Sequence, residues 1–263
     1  MKFAKSLHET GFAVLKGHPI SEAEIAEMYG CWADFFASDD RFGFATDPDT
    51  MHGYYGYKSE NAKDSAFKDL KEFYHVYQNS PVPPGVEKST RQFHQKLLDI
   101  GTELLGWIDR ESPASVTDAF SEPTAQMVSG SEQNLLRILH YPPISDDVAP
   151  GEERAAAHED INLITLLVTG SEPGLQAMDT QGNWHEVPCH PGMITINAGD
   201  MLAKASRNHY PSTSHRVVNP PAGENRSRYS MPLFVHPRPD VQLDSQQTAG
   251  EYLDQRLKEI GLK

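Results

Sequence analysis

The chain has 263 residues and a mass of about 29.3 kDa, with 38% hydrophobic and 23% charged residues. That apolar content supports a sizeable core and excludes a largely disordered chain. Asp plus Glu number 37 against 23 Lys plus Arg, a formal charge of -14, which disfavours nucleic acid and anionic membrane surfaces as partners. There is no apolar run of transmembrane length, and residues 1–10 lack the apolar stretch of a secretory signal. Cys31 and Cys189 form no framework, so both are expected as packed thiols in a reducing, cytoplasmic setting.

Residues 1–130 read as one short strand followed mainly by helices. Gly11–Lys16 is β-prone and ends at Gly17-His18-Pro19. A helix starts at Ser21, where Ser21-x-x-Glu24 forms a capping box ahead of Ile25, Met28, Tyr29, Trp32, Phe35 and Phe36. Residues 41–58 read as a loop rich in aromatic residues. Their tyrosines 54, 55 and 57 serve either packing or substrate contact. Pro81, Pro83, Pro84 and Gly85 break the chain before a helix over 89–110, with the stripe Phe93, Leu97, Ile100, Leu104, Ile108. Residues 112–130 form a weaker helical candidate.

From 134 the pattern changes to short apolar runs between turn signals, as a sandwich or barrel requires. Strands are predicted at 134–141, 161–168, 173–178, 184–188, 193–197, 200–206, 213–218 and 227–235. A last helix, from Thr248 to Ile260, has the capping box Thr248-x-x-Glu251 and Gly261 past its end. The breaks read as loops within one unit: a single domain over 1–263. It comprises a mainly helical part (1–130), a β core (131–240) and a C-terminal helix (241–263).

The chemistry concentrates in the β half. In a strand, His158 and Asp160 share a face. With His215 from a later strand they supply two imidazoles and a carboxylate, a facial set that suits non-haem Fe(II) with positions left for O2 and a cosubstrate. Alone, H-x-D is equally well a hydrogen-bonded pair at a strand edge. On the next strand Arg228 and Ser230 share a face, a guanidinium fork and a hydroxyl suited to a carboxylate. R-x-S also occurs at Arg110-Glu-Ser112, where it reads as a helix end. His158-Glu-Asp-Ile-Asn162 is not the H-E-x-x-H of a zinc protease, since position 162 is Asn.

Seven segments, in order, carry a resemblance: Gly11-Phe-Ala-Val-Leu-Lys-Gly-His18, Asp69-Leu-Lys-Glu72, Leu136-Arg-Ile-Leu-His-Tyr-Pro-Pro143, His158-Glu-Asp160, Gly199-Asp-Met-Leu202, Ser214-His-Arg-Val217 and Arg228-Tyr-Ser230. They resemble the isopenicillin N synthase-like branch of the Fe(II)/2-oxoglutarate-dependent dioxygenases. The resemblance implies a mainly β fold, a double-stranded β-helix (jelly roll) with flanking helices. It implies His158, Asp160 and His215 as catalytic iron ligands, and Arg228, Ser230 and Tyr141 as the groups that hold 2-oxoglutarate. Leu139 stands where many members carry Asn, so one polar contact to the cosubstrate is missing. The implied cofactors are Fe(II) and 2-oxoglutarate, with ascorbate as an accessory reductant. The implied reaction consumes O2 and releases succinate and CO2. It hydroxylates, desaturates or cyclises a small-molecule substrate through an Fe(IV)-oxo species. Some members use the same motifs without 2-oxoglutarate, and a cupin-type enzyme or a non-catalytic binding protein of this fold are the rival readings. Oligomeric state is not legible.

His140 and Glu159 are expected to point away from the ligands by strand alternation, in structural roles. His185, His190, His209 and His236 are expected at the surface or in turns. His185 and His190 also form a weak candidate metal pair. Asn197 and Lys204 are candidates for the barrel interior.

Overall fold

In chain order the secondary-structure elements of the computed structural model, which describes residues 2–60, 66–190, 192–221 and 223–259, begin with α1 (Lys2–Thr10), β1 (Phe12–Lys16) and α2 (Glu22–Ala37). β2 (Gly53–Tyr55), β3 (Glu72–Val76), α3 (Glu87–Glu111) and the single turns α4 (Ala114–Thr117) and α5 (Thr124–Met127) complete the first half. The second half holds β4 (Leu135–Tyr141), β5 (Ala155–His158), β6 (Ile164–Val168), β7 (Leu175–Met178), β8 (Trp184–Glu186) and β9 (Met193–Ala198). It ends with α6 (Asp200–Ala205), β10 (His215–Val217), β11 (Arg228–Val235) and α7 (Ala249–Glu259). No helix among the described residues is long and apolar enough to cross a membrane.

The strands form two antiparallel sheets, as the jelly-roll expectation requires. The larger has the order β1-β9-β6-β11-β4-β3-β2 and the smaller β5-β10-β7-β8. Alternation sorts their side chains. On β11, Arg228, Ser230, Pro232 and Phe234 face the space between the sheets, while Met231, Leu233 and Val235 are fully buried in the main core. α3 crosses the other face of the large sheet with the predicted stripe, all five residues buried. Gly101 lets it sit close: a Cβ there would meet Val235 at 3.1 Å and Leu166 at 3.2 Å.

The predicted helix starts are found in detail. The Ser21 hydroxyl accepts from the Glu24 amide at 3.2 Å, and Glu24 accepts from the Ser21 amide at 3.0 Å. Thr248 and Glu251 repeat the arrangement. Ile260 and Gly261, the predicted end of α7, lie outside the described residues, as do Pro191 and Ala222 within two predicted turns.

Several expectations are corrected. The segment 200–206 is a helix, not a strand. Gly199 caps it, and the Asp200 and Met201 amides donate to the carbonyls of Asp160 (2.7 Å) and Ile161 (3.1 Å). A short apolar run carries no period that separates the two forms. Residues 161–163 form a turn, and β6 begins only at Ile164, while 155–158 form an additional strand. Helix α1 is a further addition. Ala4 and Leu7 are its buried face, and Gly11 (φ 70°) ends it by donating its amide to Leu7. Part of the aromatic loop is strand β2, paired with the equally unexpected β3. Cys31 and Cys189 are free thiols, but only Cys31 is partly packed; Cys189 is exposed.

Candidate active site

His158 ends β5, and its cross-strand partner on β10 is His215. The pairing of two short strands in the small sheet therefore brings residues distant in sequence to ring centroids 4.5 Å apart. Asp160 is not on the same strand as His158, contrary to the simple alternation argument. It sits in the loop that follows, which the α6 amides hold in place. The result is nevertheless a converging set. One ligand atom from each of His158, Asp160 and His215 lies within 4.8 Å of the others, and this is the one such cluster among the described residues.

Each of the three side chains is oriented by a second partner. The Nδ1 atoms of His158 and His215 bond the carbonyls of Ala156 (2.8 Å) and Thr213 (3.1 Å), leaving both Nε2 atoms for the centre. Asp160 Oδ2 accepts from Thr165 Oγ1 at 2.6 Å and from Asn197 Nδ2 at 2.8 Å, so Oδ1, 3.7 Å from His215 Nε2, is left to face inward. Burial and then the neighbouring His215 push His158 down to about 4, which keeps it in the neutral, ligating form at pH 7. Burial alone would raise the Asp160 carboxyl, but the two histidines and its hydrogen bonds outweigh that and lower it. Two imidazoles and one carboxylate, with one ligand atom of each close to the others, fit a divalent iron with a face left open.

Behind this cluster a cleft between the sheets is lined by Tyr141, Arg228 and Ser230. Arg228 and Tyr141 are cross-strand neighbours on β11 and β4, and the guanidinium lies 5.2 Å from the tyrosine ring. Arg228 is 2% exposed. Its Nε donates to the Glu172 carbonyl at 3.0 Å, while Nη1 is buried with no hydrogen-bond partner among the described residues. A buried, half-satisfied guanidinium is costly unless an anion completes it. A dicarboxylate that reaches from the metal cluster to this point fits that need. Leu139, opposite Ser230, adds no polar contact, as its identity implied.

On the other side of the cluster a larger cavity of about 370 Å³ reaches His158 and Asp160. Its walls come from β3, β4, β11, the loop after β5, and α7. None of the tyrosines 54, 55 and 57 lines it. Tyr54 and Tyr55 are packed in the core and Tyr57 is exposed. Lys71 and Arg137, which lie within the Asp69–Glu72 and Leu136–Pro143 segments quoted above, line it instead, together with Tyr77, which no signal in the sequence marks.

The remaining histidines divide. His140 points away, as expected, its Nδ1 on Glu72 at 2.7 Å and Nε2 on Ser227 at 3.1 Å. His185 pairs with Asp179 at the surface. His236, expected at the surface, is 8% exposed and lines the large cavity. Glu159, exposed, lines that cavity, because β5 ends at His158 and strand alternation does not govern 159–160. Lys204, a candidate for the interior, is on α6 and pairs with Asp244. Asn197 and Thr165, cross-strand partners on β9 and β6, are the polar interior residues that matter. Phe12, the aromatic residue of the Gly11–His18 segment, meets the His215 ring edge-on at 5.9 Å.

Comparison with known proteins agrees with this geometry. The profile of the 2OG-Fe(II) oxygenase superfamily matches residues 132–237. That of the N-terminal region described as "non-haem dioxygenase in morphine synthesis" matches residues 1–97. The 2-oxoglutarate-dependent dioxygenase citB of Monascus ruber is 28% identical over 94% of this chain and 80% of its own. A crystal structure of a Shewanella oneidensis protein classed as an oxygenase shares 44% identity, with TM-score 0.88, over 100% of this chain and 94% of that one. A 2OG-Fe(II) oxygenase family protein of Caulobacter crescentus is 30% identical with TM-score 0.81, over 98% and 93%. A full-length Neurospora crassa protein, solved in complex with alpha-KG and thymine, is 27% identical with TM-score 0.81, over 98% and 91%. Two profiles in series, relatives spanning nearly the whole chain, and a histidine–aspartate–histidine cluster between jelly-roll sheets converge on one assignment: this chain belongs to the 2OG-Fe(II) oxygenase superfamily and is a 2-oxoglutarate- and iron-dependent dioxygenase.

Proposed function

We propose that His158, Asp160 and His215 hold the Fe(II), and that Arg228, Ser230 and Tyr141 hold the distal carboxylate of 2-oxoglutarate, within one domain that spans the chain. The observation that carries the cosubstrate assignment is the buried Arg228 Nη1, without a partner among the described residues, at the far end of a cleft that opens on the triad. The bound iron and 2-oxoglutarate supply O2 activation and oxidation of an unactivated C–H bond, with succinate and CO2 as co-products.

The chain's residues select and aim. The carbonyls of Ala156 and Thr213 fix the two imidazoles, while Thr165 and Asn197 fix the carboxylate. The apolar residues Leu167, Leu175 and Val217 line the cosubstrate cleft and exclude water from it. The substrate, a small molecule, occupies the 370 Å³ cavity beside His158 and Asp160. Hydroxylation, desaturation and ring closure share these requirements. The free thiols support a reducing, cytoplasmic setting. The test is succinate formation from 2-oxoglutarate. It requires Fe(II) in the parent protein and disappears in His215→Ala. Succinate release by His215→Ala at the parent rate would refute the ligand assignment.

A further inference from the structure

The large cavity contains many charges, yet nearly all are neutralised within its own wall. Lys71 Nζ lies 2.9 Å from Glu60 and 2.7 Å from Asp69. Arg137 spans both Glu60 oxygens, at 3.1 and 3.2 Å, and its Nε donates to His75 Nε2 at 2.9 Å. His75 in turn donates from Nδ1 to the Met51 carbonyl at 3.0 Å, so it is neutral. Two cations thus face two carboxylates, so neither Lys71 nor Arg137 is left over for an anionic ligand. The third cation of this wall, Arg256, has its charge matched by Glu259 at 3.1 Å and Asp200 at 3.7 Å, while its buried Nε has no hydrogen-bond partner among the described residues. The carboxylate of Glu159 is exposed and therefore solvated and screened.

Apart from that charge-compensated Nε, what the wall leaves unused is neutral and polar. The Tyr77 hydroxyl and the Gln133 amide line the cavity with no side-chain hydrogen bond to the described residues. His236 bonds the Phe234 carbonyl through Nδ1 at 3.3 Å, which leaves Nε2 as an acceptor. Burial holds His236 down at about 4 and pushes Tyr77 up to about 12, so both are uncharged at pH 7. Leu135, Phe234, Leu253 and Leu257 supply apolar wall. A cavity of 370 Å³ is at the small end of ligand sites, about 300–1,000 Å³.

We propose that the substrate is a small uncharged molecule with an amide-like donor and acceptor, which Tyr77, Gln133 and His236 bind while its apolar body rests on Leu135, Phe234 and Leu253. A charged substrate gives up its hydration and finds no unpaired counter-charge inside; a neutral amide exchanges water for these three groups. This inference rests on the iron–cosubstrate reading of the adjoining site.

The test uses three probes that share one ring: phenylacetamide, phenylacetate and phenethylamine. Each is titrated calorimetrically at pH 7.5 into the anaerobic protein loaded with Fe(II) and 2-oxoglutarate. Phenylacetamide is expected to bind saturably, at least tenfold more tightly than either charged probe. Tyr77→Phe and Gln133→Leu each weaken it by about tenfold and leave 2-oxoglutarate affinity unchanged. The proposal is overturned if a charged probe binds equally well, if both variants bind as the parent does, or if no probe binds while the visible iron–2-oxoglutarate band is present. Absence of that band in the parent is the separate failure of the iron–cosubstrate reading and brings this proposal down with it.

Discussion

Asn197 is the residue whose replacement most sharply tests how the metal site is held. Its side-chain amide donates to Asp160 Oδ2 at 2.8 Å, and Thr165 on the facing strand donates to the same oxygen at 2.6 Å. Leucine has a shape close to that of asparagine, so Asn197→Leu removes one hydrogen bond without opening a large void. A hydrogen bond to a charged group contributes about 1.5–3 kcal/mol. At 1.4 kcal/mol per factor of ten, that is a loss of roughly 10- to 150-fold in Fe(II) affinity, in line with the about 10–100-fold typical of residues that orient metal ligands. Thr165→Val should cost a similar factor. The double variant should lose more than the sum, because either donor alone can keep the carboxylate in its rotamer. The assay is anaerobic competition for Fe(II) against a chromophoric chelator, with circular dichroism to confirm the fold. A folded Asn197→Leu that binds Fe(II) as tightly as the parent would refute the reasoning.

Three further outcomes follow from the structure. Gly199→Ala would place a Cβ 2.2 Å from the Asn162 carbonyl oxygen and 2.9 Å from that of Asp160. It should lower the melting temperature by several degrees and impair iron binding together, and a stable, iron-replete variant would contradict the role given to the Gly199 turn. Glu60→Gln leaves Lys71 and Arg137 without their shared carboxylate in a buried setting, which should destabilise by about 3–5 kcal/mol in chemical denaturation; a loss below about 1 kcal/mol would show that the pairing contributes little. Stability should also fall on mild acidification. His236, held at about 4 in the folded chain, takes up a proton near 6.5 once unfolded. Its contribution is complete above pH 6.5 and is lost as pH falls towards 4, up to roughly 3 kcal/mol. His75, also lowered by burial, acts in the same direction. Denaturant midpoints between pH 7.5 and 5 should show the slope, and His236→Leu should flatten it.

Some of this is legible in the sequence because the physics is local. The capping boxes at Ser21 and Thr248 and the stripe of α3 are periodic or short-range signals, and each is found where expected. His158 and Asp160 emerge from a spacing argument whose premise is wrong: the strand stops at His158. They still converge, because the Asp160 loop is held by the first amides of α6. That same helix reads as a strand in the sequence, since a six-residue segment with four apolar residues, Met201-Leu-Ala203 and Ala205, carries neither period clearly. The partnership of His158 with His215 depends on cross-strand register, and that of Asn197 with Asp160 on two different elements. His236 looks like a surface histidine because a short C-terminal segment gives no hint that α7 folds over the cavity it lines. The neutralisation of Lys71 and Arg137 by Glu60 and Asp69 is likewise a property of the folded wall alone.

The central claim is that one site holds Fe(II) on His158, Asp160 and His215 and 2-oxoglutarate on Arg228. The most direct measurement is an anaerobic titration of 2-oxoglutarate into Fe(II)-loaded protein, followed by the visible charge-transfer band of the chelate, in the parent and in Arg228→Ala. A saturable band is predicted in the parent. In Arg228→Ala the midpoint should rise by about 10²-fold or more, since two charge-assisted hydrogen bonds of about 1.5–3 kcal/mol each are lost. No band in the parent despite stoichiometric iron, or an unchanged midpoint in the variant, would contradict the account.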